Sequence, residues 1–220
     1  MRKPKLLDLF CGAGGATKGY QRAGFYVVGV DIKPQPHYCG DEFYQADALE
    51  FPLDEYDTYH ASPPCQAYSV AFSMLLGYRK EHPDLLGKTR DYLLRTNKPF
   101  VLEYVPRSPM FDYIKLNGTM FGLKAKKERL FELHGFDILL LPAPYHKTAG
   151  MVRDGKLLGQ IEHVRYKNAI RPTKEAYAAA YKIDWFCTRN ELRQAIPPAY
   201  TEYIGKYLME TIRLGDDDER

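Results

Sequence analysis

The sequence has few cysteines and no long apolar run, and these two features argue against a metal-binding protein and a membrane protein. Its 220 residues include four cysteines, none of which stands in a Cys-x-x-Cys pair, so we predict no metal site. Scattered cysteines are usually free thiols, and one of them could serve as a nucleophile. No apolar run reaches the roughly 18 residues that a membrane span needs, so no membrane partner is expected. The first apolar stretch is too short for a signal peptide, which predicts a core strand and a cytoplasmic protein.

The charge is small in total but unevenly distributed. The formal net charge is +3, while residues 216–220 form an acidic tail that carries −3 and leaves +6 on the rest. Between residues 143 and 174 the sequence has seven lysines and arginines but only two carboxylates. A basic excess of this kind suits a polyanion such as nucleic acid. A solvated basic surface without a partner would have the same composition.

The order of apolar runs and glycine turns predicts an α/β fold. Strands are predicted at 5–10, 25–30, 56–61 and 99–103, and helices at 15–23, 174–182 and 199–214. The opening strand, helix and strand form the unit of a mostly parallel sheet, covered by helices on both faces. We predict four parts, namely a cofactor-binding and catalytic core (1–132), a small basic target-recognition insertion (133–175), a return to the core with a closing helix (176–214) and an acidic tail (215–220).

A glycine-rich turn follows the first predicted strand, at the edge of the sheet where open α/β folds bind ligands. Residues 8–15 read Asp-Leu-Phe-Cys-Gly-Ala-Gly-Gly, and glycines at such a turn let a ligand approach the backbone closely. Asp31, after the second strand, is placed to bind ribose hydroxyls, and Asp47 could contact an adenine amino group. The alternative is tight packing at Gly12 and Gly14, with the two aspartates as surface caps.

Two further motifs fall at predicted strand ends. In Ser62-Pro63-Pro64-Cys65-Gln66 the prolines restrict the backbone before the thiol, which favours Cys65 as a nucleophile. Glu103 ends another strand and can act as a general acid if burial raises its pKa. The alternatives are an inert loop cysteine and a capping glutamate.

The order and spacing of these motifs resemble the DNA cytosine-C5 methyltransferases, especially compact phage-encoded members. In that family an Asp-Leu-Phe-x-Gly-x-Gly-Gly turn binds S-adenosylmethionine, Pro-Cys-Gln carries the nucleophile and Glu-Asn-Val supplies the acid. Residues 118–133 resemble the family's basic strand, and Ala-Ile-Pro-Pro-Ala at 195–199 resembles its late Asn-Ala-Val-Pro-Pro motif. The resemblance implies the Rossmann-like fold of S-adenosylmethionine-dependent methyltransferases.

The resemblance also implies a mechanism and a set of site residues. Cys65 would attack carbon 6 of a cytosine flipped out of double-stranded DNA, Glu103 would protonate ring nitrogen 3, and Arg129 would support the flipped base. The protein is expected to be monomeric. The implied cofactor site consists of Phe10, Gly12, Ala13, Gly14, Gly15, Asp31, Ile32, Asp47, Ala48 and Pro63. The implied substrate or donor pocket consists of Pro64, Gln66, Tyr104 and Lys127.

Four positions depart from the family pattern. Ala125 replaces a glutamine, Lys127 an arginine and Gln194 an asparagine, while Tyr104 replaces the asparagine that follows the acid. Tyr104 either weakens ordinary methyl transfer or reshapes the pocket for a substituted donor such as carboxy-S-adenosylmethionine. Two alternatives stay open besides this one: an RNA substrate, and a protein that binds the cofactor or DNA without turnover.

Overall fold

The computed structural model describes residues 2–64, 85–143, 151–153, 156–158, 173–185 and 187–218. Nine strands lie in these ranges: β1 Lys5–Leu9, β2 Tyr26–Asp31, β3 Glu42–Gln45, β4 Thr58–Ala61, β5 Phe100–Tyr104, β6 Tyr113–Leu116, β7 Arg129–His134, β8 Met151–Arg153 and β9 Lys156–Leu158. Five α-helices accompany them: α1 Gly15–Ala23, α2 Leu86–Leu94, α3 Lys174–Tyr181, α4 Arg189–Gln194 and α5 Pro198–Asp218. A short 3-10 helix spans Gly118–Phe121.

Seven strands form one sheet in the order β3-β2-β1-β4-β5-β7-β6. The pairs from β3 to β5 are parallel, whereas β7 runs antiparallel to both β5 and β6. Strand β7 is therefore the one reversed strand of this sheet, and the predicted mostly parallel sheet is confirmed. Strands β8 and β9 form a separate antiparallel pair within the predicted insertion.

Helices cover both faces of the sheet, as predicted. On one face α1 and α5 pack over alternate residues of the central strands in a core that includes Leu6, Tyr20, Val101, Phe131, Tyr200 and Ile204. On the other face α2 packs over the intervening residues in a core that includes Leu7, Leu9, Val28, Leu93, Phe100 and Leu102. Because successive side chains of a strand point to opposite faces, the continuous apolar runs predict this double burial.

Helix α1 occupies its predicted residues because local signals define both of its ends. Gly14 and Gly24 adopt left-handed conformations at the two caps, with φ angles of +89° and +107°. Within the helix, Gly19 lies directly against α5, since a Cβ atom there would collide with the Thr201 hydroxyl and the Pro198 carbonyl. The Thr201 hydroxyl donates to the Ala16 carbonyl over 2.8 Å. The two helices therefore pack at backbone distance.

Three predicted boundaries are wrong. Asp31 and Tyr104 are the last residues of β2 and β5 rather than loop residues, because strand pairing continues one position further. The closing helix α5 runs to Asp218, into the predicted acidic tail. Acidic residues in a last turn oppose the helix dipole, which is why the sequence predicted an earlier end. Most of the predicted insertion and its basic residues lie outside the described residues, and the four-part organisation stays a prediction.

None of the helices in the described ranges is long and apolar enough to cross a membrane.

Candidate active site

The parallel register brings the ends of four strands into one line. Leu9 pairs with Val30 on one side and Ala61 on the other, and Ala61 pairs with Leu102. The residues that come next in the chain are therefore neighbours at the carboxyl edge of the sheet, and they are Phe10, Asp31, Ser62 and Glu103. Each of the three predicted motifs contributes to this row.

The glycine turn is held by Asp31. The Gly12 amide donates to Asp31 Oδ2 over 3.1 Å, and the Lys33 amide donates to Oδ1 over 2.9 Å. Gly12 has a φ of +52°, and apart from its chain neighbours no atom of the described residues lies within 4 Å of the position where a Cβ would stand. The backbone here is consequently open to a ligand beside a carboxylate.

Packing closes the next part of the turn. A Cβ at Gly14 would lie 2.7 Å from Cys39 Sγ, and one at Gly15 would lie 2.6 Å from the Ile196 carbonyl oxygen. The Trp185 indole donates to the Ala13 carbonyl over 3.2 Å. Tight packing thus accounts for glycine at 14 and 15, and the cofactor roles of residues 13–15 stay a prediction.

The surface beside Asp31 combines apolar and polar groups. Ile32 is 64% exposed, which is unusual for an isoleucine next to a buried strand. Asp47 accepts from the Leu49 amide over 2.9 Å, so it also serves the capping role of the alternative interpretation. Ala48 is buried behind it. These residues can offer one apolar face and one acceptor to a nucleoside.

Glu103 is the buried carboxyl of the row. Its side chain is 8% exposed, and Arg129 Nε lies 2.9 Å from Oε1. This contact is an ion pair without hydrogen-bond alignment, because Oε1 has no aligned donor among the described residues. Burial raises the pKa of Glu103, while Arg129, Lys127 and a hydrogen bond from Ser62 oppose the rise. A carboxyl whose pKa is raised can hold a proton closer to neutral pH, as a general acid must.

Tyr104 contacts the proline pair directly. Its ring is 1% exposed, and its hydroxyl donates to the Pro64 carbonyl over 2.7 Å. Tyr104, which replaces the asparagine of the family pattern, therefore connects β5 to the backbone immediately before Cys65. Cys65 and Gln66 themselves lie outside the described residues.

Lys127 joins the site to the C-terminal helices. Its ammonium donates to the Arg193 carbonyl over 2.9 Å and lies 4.6 Å from the centre of the Tyr181 ring. Its charge nevertheless lowers the pKa of Glu103. Its predicted place in the substrate pocket stays a prediction.

A set of buried polar residues that no sequence motif indicated lies behind the row. Tyr20, His60 and Asp8 are each fully buried, and the Thr17 hydroxyl donates to Asp8 Oδ2 over 2.5 Å. Burial raises the pKa of Asp8 to about 7. The available signal was a histidine and an aspartate inside otherwise apolar strands.

The described thiols are poor nucleophiles. Burial raises the pKa of Cys11 well above its usual value, that of Cys39 to about 12 and that of Cys187 to about 11. A thiol must ionise to attack, so none of these three is suited to nucleophilic catalysis at neutral pH. Within the described ranges no group of three or more His, Cys, Asp or Glu side chains could hold a metal ion.

The mostly parallel seven-stranded sheet, with β7 reversed and helices on both faces, has the Rossmann-like arrangement that the resemblance implied. Solved structures with a similar arrangement include a DNA modification methyltransferase encoded within an E. coli prophage. That structure has a TM-score of 0.45 and 21% identity, with 64% of this chain and 51% of the other covered. Another is the S. pombe Dnmt2 methyltransferase, with a TM-score of 0.41 and 16% identity, covering 60% and 50%.

In sequence, the chain is similar to Type II methyltransferases, as the resemblance of its motifs led us to expect. M1.HphI of Haemophilus parahaemolyticus is 28% identical over 120 residues, which cover 46% of this chain and 32% of that protein. M.AplI of Arthrospira platensis is 26% identical over 159 residues, covering 57% and 44%. M.XorII of Xanthomonas oryzae is 23% identical over 257 residues, covering 93% and 54%. The matches thus cover about a third to a half of the length of these relatives, and no protein-family model matches the chain.

Proposed function

We propose that this protein is an S-adenosylmethionine-dependent DNA methyltransferase that modifies carbon 5 of cytosine through a covalent adduct with Cys65. One observation carries the proposal. Glu103, a buried carboxyl with a raised pKa and an arginine partner, lies in the same edge row as Ser62, which opens the Pro-Pro-Cys segment. A buried acid beside a nucleophile loop is the arrangement that addition to a cytosine ring requires.

The residues beside Gly12 fit the cofactor. The open side of Gly12 admits a ligand to the backbone, and each Asp31 oxygen keeps a lone pair for a ribose hydroxyl after accepting one amide. The exposed Ile32 side chain offers an apolar surface to an adenine ring. When bound, S-adenosylmethionine supplies an electrophilic methyl group on a sulfonium. Phe10, Asp47, Ala48 and Pro63 complete the proposed cofactor site.

The protein's own groups would activate the base. The Cys65 thiolate forms a bond to carbon 6, and the π electrons of the carbon 5–carbon 6 bond move into the ring as Glu103 gives its proton to nitrogen 3. Carbon 5 becomes nucleophilic as a result. Once carbon 5 carries the methyl group, loss of its proton to a base restores the double bond and expels the thiolate, and nitrogen 3 returns its proton to Glu103. Arg129 holds the Glu103 carboxylate between these two transfers.

The choice of Cys65 is supported by elimination as well as by its motif. Of the four cysteines, the three described ones have pKa values raised by burial. Tyr104 replaces the asparagine of the family pattern, and its hydrogen bond to Pro64 supports a structural role, because it restrains the backbone next to the thiol.

The target carbon is inaccessible in a stacked duplex, so the cytosine must be flipped out.

A covalent trap tests the proposal. Double-stranded DNA containing 5-fluorocytosine has no removable proton at carbon 5, so the adduct persists after transfer. We expect the wild-type protein with S-adenosylmethionine to form an SDS-resistant complex, and Cys65→Ser to form none. Cys187→Ser is the matched control and keeps the complex, because Cys187 is a buried thiol that packs with residues of α3 and α4. Glu103→Gln forms it far more slowly, because it cannot deliver a proton.

The same assay separates the alternatives. Cofactor binding without any adduct on DNA or RNA would support a protein without turnover, and an adduct on RNA alone would support an RNA substrate. Mass spectrometry of unfluorinated product DNA then identifies the transferred group and its position. A group heavier than methyl supports the substituted donor, and a methyl on an exocyclic amine, which needs no thiol, contradicts the proposed chemistry.

A further inference from the structure

Two hydrogen bonds lead from α1 to Ser62, the neighbour of the proposed acid. The Tyr20 hydroxyl lies 2.9 Å from His60 Nδ1, and His60 Nε2 lies 2.8 Å from Ser62 Oγ. Ala61 is paired with Leu102, so Ser62 is the neighbour of Glu103 at the sheet edge, and the Ser62 hydroxyl helps to lower the pKa of Glu103. Tyr20 and His60 are both fully buried, so this chain connects the helix face of the sheet to its carboxyl edge.

The direction of these hydrogen bonds follows from the buried pair Tyr20 and His60. Among the described residues, His60 Nδ1 is the one hydrogen-bond acceptor of the Tyr20 hydroxyl. A buried hydroxyl that donates to nothing is costly, so Tyr20 donates to Nδ1. Burial lowers the pKa of His60 to about 3, and the ring therefore carries a single proton. That proton must be on Nε2, because Nδ1 accepts.

The hydrogen bond between His60 and Ser62 then has one possible direction. His60 Nε2 donates to Ser62 Oγ, so the Ser62 hydroxyl hydrogen can turn towards the neighbouring Glu103 carboxyl. Oε1 of Glu103 has no aligned donor among the described residues. Arg129 Nε lies 2.9 Å from the same oxygen, and a Ser62 hydroxyl turned to the carboxyl would restrain its orientation beside this arginine.

Several charged or titratable groups face this chain from the neighbouring elements. Asp8 of β1 is paired in register with His60, and Arg129 and Lys127 act on Glu103 from β7 and the loop before it. The pKa of Tyr20 is raised by its burial and by the charges of Asp8 and Glu103, so its hydroxyl stays a donor.

We propose that His60 is a positioning residue for the reaction: it orients the Ser62 hydroxyl so that Ser62 donates to the Glu103 carboxyl and holds it towards the target base. The inference rests on the proposed function, because it assigns Glu103 as the acid. His60 itself touches no substrate in this scheme and acts through Ser62.

The pH profile of adduct formation tests this role. His60→Leu removes both ring nitrogens, while His60→Gln keeps an acceptor for Tyr20 and a donor for Ser62. A hydrogen bond to a carboxylate lowers its pKa, so loss of the donor raises the pKa of Glu103. Because the protonated acid is the active form, the rate of adduct formation falls as pH rises through the pKa of Glu103. We expect the midpoint of this alkaline limb to move up by about one pH unit in His60→Leu. His60→Gln should restore the wild-type limb.

Non-additivity provides the second readout. Ser62→Ala should shift the limb in the same direction, and adding His60→Leu to it should produce little further change, because both act through one hydrogen bond. Ser62→Ala also tests the proposal if His60→Leu does not fold. A wild-type limb in folded His60→Leu or Ser62→Ala, or fully additive shifts, would overturn the inference.

The outcomes separate this inference from the proposed function. If the wild type forms the adduct and the variants keep its pH profile, the role of His60 alone fails. If the wild type forms no adduct on any nucleic acid, the proposed function fails. The hydrogen-bond direction is then decided by ¹⁵N NMR of the wild-type histidine rings. A proton on Nε2 of His60 supports the oriented chain, and a proton on Nδ1 overturns it.

Discussion

Glu132 of β7 is predicted to be the most important single carboxylate for stability. Its side chain is 1% exposed and accepts from Arg90 Nε over 2.8 Å and from Arg90 Nη2 over 2.7 Å. The Phe111 amide donates to it over 2.6 Å and His134 Nε2 lies 3.2 Å away. The carboxylate thus joins α2 to β7, the strand that also carries Arg129, and to the loop before β6.

The size of the effect follows from the pKa. These donors lower the pKa of Glu132 from 4.5 to about 2, against the opposing effect of burial. A shift of about 2.5 units corresponds to roughly 3 kcal/mol of stability. Removing one partner of a buried ion pair typically costs about 3–5 kcal/mol, which agrees. We expect Glu132→Gln, which keeps the size and removes the charge, to lower the free energy of unfolding by about 3 kcal/mol and Tm by roughly 6–12 °C.

Urea unfolding followed by circular dichroism, repeated at several pH values, measures this effect. The pKa of Glu132 is lower in the folded state, so its contribution is complete above pH about 4.5 and is lost as pH falls towards about 2. The difference between wild type and variant should therefore shrink on acidification. Glu202→Gln is the matched control, because its contact with Lys206 spans 3.8 Å at the surface and should contribute less than about 1 kcal/mol. A loss no larger than that of the control, or one that does not change with pH, would refute the reasoning.

Two further predictions concern the helices and the buried acid of β1. Gly19→Ala should destabilise the protein by roughly 1–3 kcal/mol, because the added methyl group collides with Thr201. Gly87→Ala should stabilise it by about 0.5–1 kcal/mol, because no atom of the described residues beyond its chain neighbours lies within 4 Å of the Cβ position. Thermal unfolding of the pair checks this, and equal Tm changes would contradict it. Folding raises the pKa of Asp8 from 3.8 to about 7, so ionisation of the wild-type carboxyl opposes folding increasingly as pH rises through this interval. Asp8→Asn should remove this loss, and wild-type and variant Tm values that run parallel from pH 5 to pH 8 would disprove it.

Several elements could be predicted from the sequence because local signals define them. Helix α1 begins after Gly14 and stops at Gly24, where glycine adopts the left-handed backbone. The central strands are buried on both faces and so appear as continuous apolar runs. The three motifs each followed such a run, which was enough to place Asp31, Ser62 and Glu103 at one edge of the sheet.

Other elements carry no local signal. Strands β3 and β6 are short and partly exposed at or near the sheet margins, so neither shows a clear alternation of apolar residues. The reversal of β7 follows from its pairing with β5 over long sequence separation, which no window of sequence contains. Helix α5 continues past its predicted end at 214, although the last of its residues packed on the core is Ile212 and Leu214 is 67% exposed, so packing does not explain its last turn.

The sequence by itself determined the class of protein, the glycine turn and the identity of the proposed nucleophile and acid, because these depend on residue type and on position relative to apolar runs. Only the tertiary structure decided their environment. The burial of Glu103, its 2.9 Å approach to Arg129, the contact of Tyr104 with Pro64 and the chain from Tyr20 through His60 to Ser62 all join residues distant in the sequence. Acidity and hydrogen-bond direction depend on distance and on the exclusion of water, and both arise when the strands assemble into one sheet.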